Sequence, residues 1–273
     1  ISAIISNSFL YSVSFVAILF AVFQDLRTRE IANWLTFSLV AFVLAYRAFY
    51  SIYSNDFMFF IYGLMGVILF IGFGYLFYYS KVFAGGDAKL LFGIGGIFPY
   101  SSLMDYIYYG FGFIFILFTS GVLYTLIYSI FLVRSNSKSF KKSFYEQIYR
   151  KKYLFIISFV LGVLLYLNNS SFDLFTLMFS LFIFLSPLLF AYVKSVEKSC
   201  MIQLVSPEKL TEGDWLYEDV KVNGKIIKKN FAGLTFKEVL ALRSAGKKVR
   251  VKMGIPFAPA FLIALITFRV FFS

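Results

Sequence analysis

Hydrophobic residues fall along this chain in long uninterrupted blocks, and charge is confined to the stretches between them. A hydrocarbon core about 30 Å thick takes about 20 helical residues, and residues Ser2 to Phe23 supply such a run without a single charge. Further blocks follow at Ile31 to Tyr53, Phe57 to Tyr79, Tyr106 to Val133, Tyr153 to Leu167, Phe172 to Val193 and Ile255 to Phe272. A shorter, glycine-rich stretch, Ala88 to Met104, is interrupted by Pro99 and is expected to be an eighth span. The first block lacks a basic leader and an A-x-A cleavage signal, so it reads as a retained anchor, and Ile1 implies that a start methionine precedes it.

Composition agrees with a bilayer protein: of 273 residues, 60% are hydrophobic, 22% aromatic and only 15% charged. The absence of histidine excludes a Ser-His-Asp triad, an HExxH zinc site and a His-ligated haem. With Cys200 as the single cysteine, an intrachain disulfide and a thiolate zinc cluster are excluded too. Any chemistry must therefore come from carboxylates.

The net charge of +12 matters less than where the cations lie. With eight spans, one set of loops carries Arg27 and Arg29, then Lys81 and Lys89, then Arg134 to Lys152, then the segment from Lys194 to Lys252. The alternate set, around Asp56, Ser101 to Asp105 and Asn168 to Ser171, carries none. The basic loops are expected in the cytoplasm and both termini outside it. Arg47 and Arg269 fall outside the pattern and are expected to snorkel from span ends. Positive-inside loops account for the charge, so no nucleic-acid partner is expected.

Residues 200–253 differ in being polar. Apolar positions alternate in Met201 to Val205 and Lys247 to Lys252, Asn223-Gly224 is a hairpin turn signal, and Thr235 with Glu238 forms a capping box for a helix ending before Gly246. The expected architecture is an all-α polytopic membrane protein of about eight helices (1–199 and 254–273) with a small cytoplasmic α+β domain (200–253) before the last helix.

Topology sorts the 14 carboxylates. Asp56, Asp105 and Asp173 lie at outer span ends, Glu146 and Glu197 in basic loops, and the small domain holds most of the rest. Asp25, Glu30 and Asp87 remain, at the cytoplasmic ends of spans. Asp25 ends span one and Asp87 begins span four, so both stand at one membrane level. Two carboxylates sharing a site cannot both ionise cheaply, so a shared proton lets the pair act as base and acid on one water. The plainer alternative is two ordinary helix-end aspartates. Gly85-Gly86 before Asp87 would permit positive φ and close approach of a peptide, and Lys89 would either support an ionised carboxylate or snorkel.

These residues resemble a known family, the GxGD membrane aspartyl peptidases that process type IV prepilins and archaeal preflagellins (prearchaellins). Asp25-Leu26-Arg27-Thr28-Arg29-Glu30-Ile31-Ala32-Asn33 is similar to the family's first aspartate and its R-x-I-P-N stretch, with Ala32 in place of proline. Ala84-Gly85-Gly86-Asp87-Ala88-Lys89 is similar to GxGD-x-K, with Ala84 in place of the first glycine, and Gly254 to Phe261 resembles the proline-containing start of the last helix. The resemblance implies a catalytic pair of Asp25 and Asp87, supported by Gly85, Gly86, Lys89 and Glu30, working without metal or organic cofactor. It implies removal of the short basic leader of pilin-like or archaellin precursors at the cytoplasmic face. The single cysteine excludes the zinc domain of bacterial relatives and favours the archaeal, peptidase-only branch. Anionic lipid, attracting basic segments at roughly 1 kcal/mol per charge, would gather both partners, with acids such as Glu30 receiving the leader's cations. A presenilin-like protease fits less well, since Gln24-Asp25 and Pro256-Phe257-Ala258-Pro259 stand where Tyr-Asp and Pro-Ala-Leu are expected. A transporter or a scaffold binding a partner through the small domain is the reading from another class; a transporter would place ionisable groups at the midplane.

Overall fold

The computed structural model describes residues 2–167, 174–222, 224–230 and 233–272. The expected outer loop at Asn168 to Ser171, Asp173 and the Asn223 half of the hairpin turn lie outside the described residues, as does Ile1. The chain is mostly helical, with a small sheet region, and folds as two compact units, Ile1–Ile127 with Ile255–Ser273, and Tyr128–Gly254.

In the first unit, α1 (Ser2–Thr28), α2 (Asn33–Ser54) and α3 (Phe57–Tyr79) are long apolar helices, followed by the short α4 (Gly85–Ile94). Next come α5 (Leu103–Asp105), a π-helical turn (Tyr106–Phe111) and α6 (Gly112–Ser135), which run together as one apolar helix, Leu103–Ser135. The unit is completed by α11 (Ala258–Phe271). A hydrocarbon environment forces backbone groups to pair within the chain, which is why such apolar runs become helices. Polar residues mark the helix ends: Asp56 Oδ1 accepts from the Met58 and Phe59 amides to cap α3, and Asp105 Oδ2 accepts from the Ser101 and Ser102 amides.

Five helices among the described residues are long and apolar enough to cross a membrane: Ser8–Thr28, Asn33–Ser54, Phe57–Tyr79, Leu103–Ser135 and Leu174–Met201. Two of the expected spans are shorter apolar helices, Lys152–Leu167 and Ala258–Phe271. The stretch expected as the fourth span, Ala88 to Met104, instead holds the end of α4 and then turns through Gly95, Gly96 and Pro99 without helix. Irregular backbone at such a place needs hydrogen-bond donors from the protein.

Arg47 supplies them. Its guanidinium is fully buried (0% exposed) and donates Nε to Gly96 O (2.5 Å), Nη1 to Phe59 O (2.8 Å) and Nη2 to Phe98 O (2.5 Å), with its carbon 4.5 Å from the centre of the Phe59 ring. The expected snorkelling role of Arg47 is thus corrected: two carbonyls of the broken stretch, Gly96 O and Phe98 O, and Phe59 O at the start of α3 hold the side chain inside. Arg269, the other exception, donates to Ser8 Oγ (3.0 Å) and lies over the Tyr11 ring, joining α11 to α1.

Small residues let α4 reach α3. A Cβ added at Gly66 would run into Gly95 O and the Tyr100 ring, one at Gly74 into Ala88 O and the Phe92 ring, and one at Gly63 into the Arg47 side chain. Backbone contact of this kind is how helices associate where no hydrophobic driving force acts. Gly66→Ala should therefore lower stability by about 1–3 kcal/mol, whereas Gly72→Ala, whose added methyl meets nothing within 4 Å, should leave it unchanged. Thermal unfolding of both variants in detergent checks this, and equal melting temperatures would refute it.

The second unit contains α7 (Ser137–Arg150), α8 (Lys152–Leu167), α9 (Leu174–Val196) and a π-helical turn (Glu197–Met201), then β1 (Ile202–Val205), a 3-10 turn (Pro207–Lys209), β2 (Trp215–Leu216), β3 (Val220–Val222), β4 (Lys225–Ile227), α10 (Phe236–Ser244) and β5 (Val249–Lys252). The expected strands at both ends of the polar segment pair antiparallel, Ile202 opposite Lys252 and Val205 opposite Val249, and β2 adds to the far edge of β5. The expected hairpin is β3–β4, with Gly224 at φ +78°, and the Thr235–Glu238 capping box is present on α10. Leu216, Val220, Val222, Val239, Leu242, Val249 and Val251 close a separate small core. Glu197 accepts from Lys194 (2.9 Å) and Lys252 (2.7 Å), tying the end of α9 to β5. Glu146 of α7 is paired with Lys198 at 2.9 Å, and that hydrogen bond holds its carboxyl below the usual carboxylate range.

Candidate active site

α1 ends at Thr28, directly before a tight turn. Arg29 takes φ +60° and its amide donates to Asp25 O at 2.8 Å, which closes the last turn and sends the chain back toward α2. Gln24 Oε1 accepts the Ala32 amide (3.1 Å), and Thr28 Oγ1 bonds Gln24 O and Glu30 O, so the turn from 29 to 32 is held from the α1 side. The side chain of Asp25, one position past Gln24, then faces the interior and is 6% exposed.

Asp87 is the third residue of α4, behind the extended Ala84, and is 8% exposed. An acid in the first helical turn is favoured by the free amides there. The expectation of positive φ at Gly85 and Gly86 is corrected: both are helical, and the positive-φ glycines among the described residues are Gly213, Gly224, Gly233 and Gly246. Gly86 serves proximity instead, because a Cβ there would come within 3.1 Å of Ile31 Cβ and push the 29–32 turn away from α4. Gly85 has only ordinary contact, with Tyr78.

The start of α11 completes the arrangement. Asp25 Oδ2 accepts the Ala258 amide at 2.8 Å. The Phe257 ring lies 5.3 Å from that of buried Phe83, just before Ala84. One short segment thus touches both carboxylate-bearing elements. Asp25 lies within electrostatic range of Asp87, and they are the only buried acidic side chains among the described residues.

The supporting residues are placed differently. Lys89 Nζ donates to Asn33 Oδ1 (2.7 Å) and faces the Phe37 ring, so it braces the start of α2 against α4. Glu30 is exposed in the turn, where its carbonyl accepts from Thr28. The Ala258 amide and Gln24 were not among the expected site residues. Pro256 and Pro259 did mark a helix start, and free amides at a helix start need an acceptor, which is the signal that pointed toward Ala258. Lys89→Met should reduce any activity of the site by no more than about tenfold, since Lys89 acts through α2, and Lys89→Arg should restore it. Steady-state rates of the two variants decide between this and direct contact with the chemistry.

The fold and this site define a class: a polytopic, integral membrane protein with an interior carboxylate pair where one helix ends and another begins. Residues 12–133, which carry both aspartates, match the model of the type IV leader peptidase family. It is 33% identical over 89 residues to a preflagellin peptidase of Methanocaldococcus jannaschii, covering 33% of this chain and 38% of the relative. Over 137 residues it is 29% identical to a preflagellin peptidase of Methanococcus voltae, covering 46% and 57%. A preflagellin peptidase of Methanococcus maripaludis is 29% identical over 89 residues, covering 33% and 38%. The chain thus aligns with between 38% and 57% of these curated relatives' lengths. No solved structure matches it.

Proposed function

We propose that this chain is a membrane-embedded aspartyl endopeptidase that removes the short basic leader from type IV pilin-like or archaellin precursors at the cytoplasmic face. The observation that carries the reading is the meeting of Asp25 and Asp87, buried and mutually interacting, inside the stretch that matches the leader peptidase family. The pair shares one proton. The ionised member removes a proton from water as its oxygen attacks the scissile carbonyl, and the protonated member gives its proton to the carbonyl oxygen. Collapse of the tetrahedral intermediate breaks the C–N bond, and a proton from the pair leaves with the new amine. The Ala258 amide keeps Asp25 Oδ2 oriented through this cycle. No cofactor is needed.

The topology that goes with this reading has eight crossings, the fourth made by α4 and the irregular chain that Arg47 holds. The basic loops then share the side of the aspartates. Glu30, exposed beside Asp25, receives a cation of the leader, so Glu30→Gln should raise KM several-fold and leave kcat unchanged. An unchanged KM would remove Glu30 from recognition.

The proposal is tested by incubating purified protein in lipid with an archaellin or pilin precursor and sequencing the new N-terminus. Cleavage between the basic leader and the substrate's hydrophobic helix supports it. Intact precursors of both kinds, with the enzyme folded, would refute it.

A further inference from the structure

The charged stretch between α6 and α8 is not a loop but the 14-residue helix α7, with two unlike faces. Phe140, Ser143, Phe144 and Ile148 turn inward, and the Phe140 ring meets that of Tyr192 on α9 at 5.6 Å. Outward lie Lys138, Lys141, Lys142 and Arg150, all exposed, interleaved with a ridge of tyrosines four residues apart. Tyr145, Tyr149 and Tyr153 on this ridge are 70%, 77% and 68% exposed. Lys152 Nζ lies 5.6 Å and 5.3 Å from the Tyr149 and Tyr153 rings. The one acid of α7, Glu146, is already taken by Lys198, so the exposed face is cationic and aromatic with no anion of its own left over.

Where this face lies follows from the chain. A single residue, Asn136, separates α7 from the apolar α6, and α8 begins straight after Lys151. Both ends of α7 are therefore held at the boundary of the hydrocarbon. Tyrosine rings are suited to headgroup depth, and lysine and arginine to phosphate.

We propose that the exposed face of α7 is a docking surface for anionic phospholipid headgroups, with Lys141, Lys142 and Arg150 engaging the phosphates and the tyrosine ridge settling among the headgroups. These cations share in the positive-inside pattern, and this face in addition selects lipid. The inference concerns the membrane contact alone and stands or falls separately from the peptidase reading.

The test uses the full chain in phosphatidylcholine bilayers, with spin-labelled phosphatidylglycerol and spin-labelled phosphatidylcholine as probes. Wild type should bind the phosphatidylglycerol probe in preference, and Lys141→Gln/Lys142→Gln/Arg150→Gln should lose about fivefold or more of that preference. The control Lys225→Gln/Lys228→Gln/Lys229→Gln, in the small domain, should keep it. A nitroxide at Tyr149→Cys, in a Cys200→Ser background, should be shielded from an aqueous nickel chelate. An α7 variant as selective as wild type, a control that loses as much, or a nitroxide fully open to the chelate would each overturn the proposal. Circular dichroism confirms that all the variants remain helical.

Discussion

Asp25→Asn and Asp87→Asn, each made alone, should lower leader cleavage by at least about 10⁴-fold, with the two together no worse than either. The non-additivity matters as much as the loss, because two groups that pass one proton between them fail as a unit. Asparagine suits the experiment at Asp25, since its side-chain oxygen still accepts the Ala258 amide that Oδ2 accepts at 2.8 Å. The fold is therefore kept while the proton exchange is removed. Cleavage of a precursor by equal amounts of folded protein reads the result, and normal turnover by either variant would return both aspartates to the role of helix-end residues.

The second large effect concerns stability. Arg47→Met keeps the length and apolar stem of the side chain but removes the guanidinium bonds to Gly96 O, Phe98 O and Phe59 O, of which Phe98 O keeps the Tyr100 amide. Three buried hydrogen bonds at roughly 1–3 kcal/mol each amount to a loss of about 3–9 kcal/mol. Arg47→Lys should fall between, because one ammonium cannot reach three carbonyls in the directions a planar guanidinium serves. Thermal and denaturant unfolding in detergent measure both. If Arg47→Met unfolds with wild type, the carbonyls have found other partners and Arg47 does not support the broken helix.

Much of this was legible in the chain because it depends on local pattern. Apolar run length marks α1, α2 and α3, and the hairpin and capping box of the polar segment rest on residues a few positions apart. Asp25 and Asp87 stood out because topology left few acids at that level and their surroundings resemble known motifs. Arg47 was misread for a physical reason: one arginine near a span end looks the same whether it reaches lipid or interior carbonyls, and the carbonyls that hold it come from Phe59, Gly96 and Phe98, elsewhere in the chain. Helix α7 was hidden by its cations, although Phe140, Phe144 and Ile148 recur at a spacing of four. The role of Gly86 was misassigned because smallness and positive φ leave the same trace in a sequence.

The bond from the Ala258 amide to Asp25 joins residues 233 positions apart. During synthesis, α1 and its aspartate are therefore delivered to the bilayer long before the ribosome has made their partner. Until Ala258 emerges, Asp25 lacks the amide that orients it, however well the first helices have already packed. The site is thus finished late, 233 positions after its first carboxylate. A nascent chain ending before α11 would carry both aspartates and still lack the amide that holds Asp25.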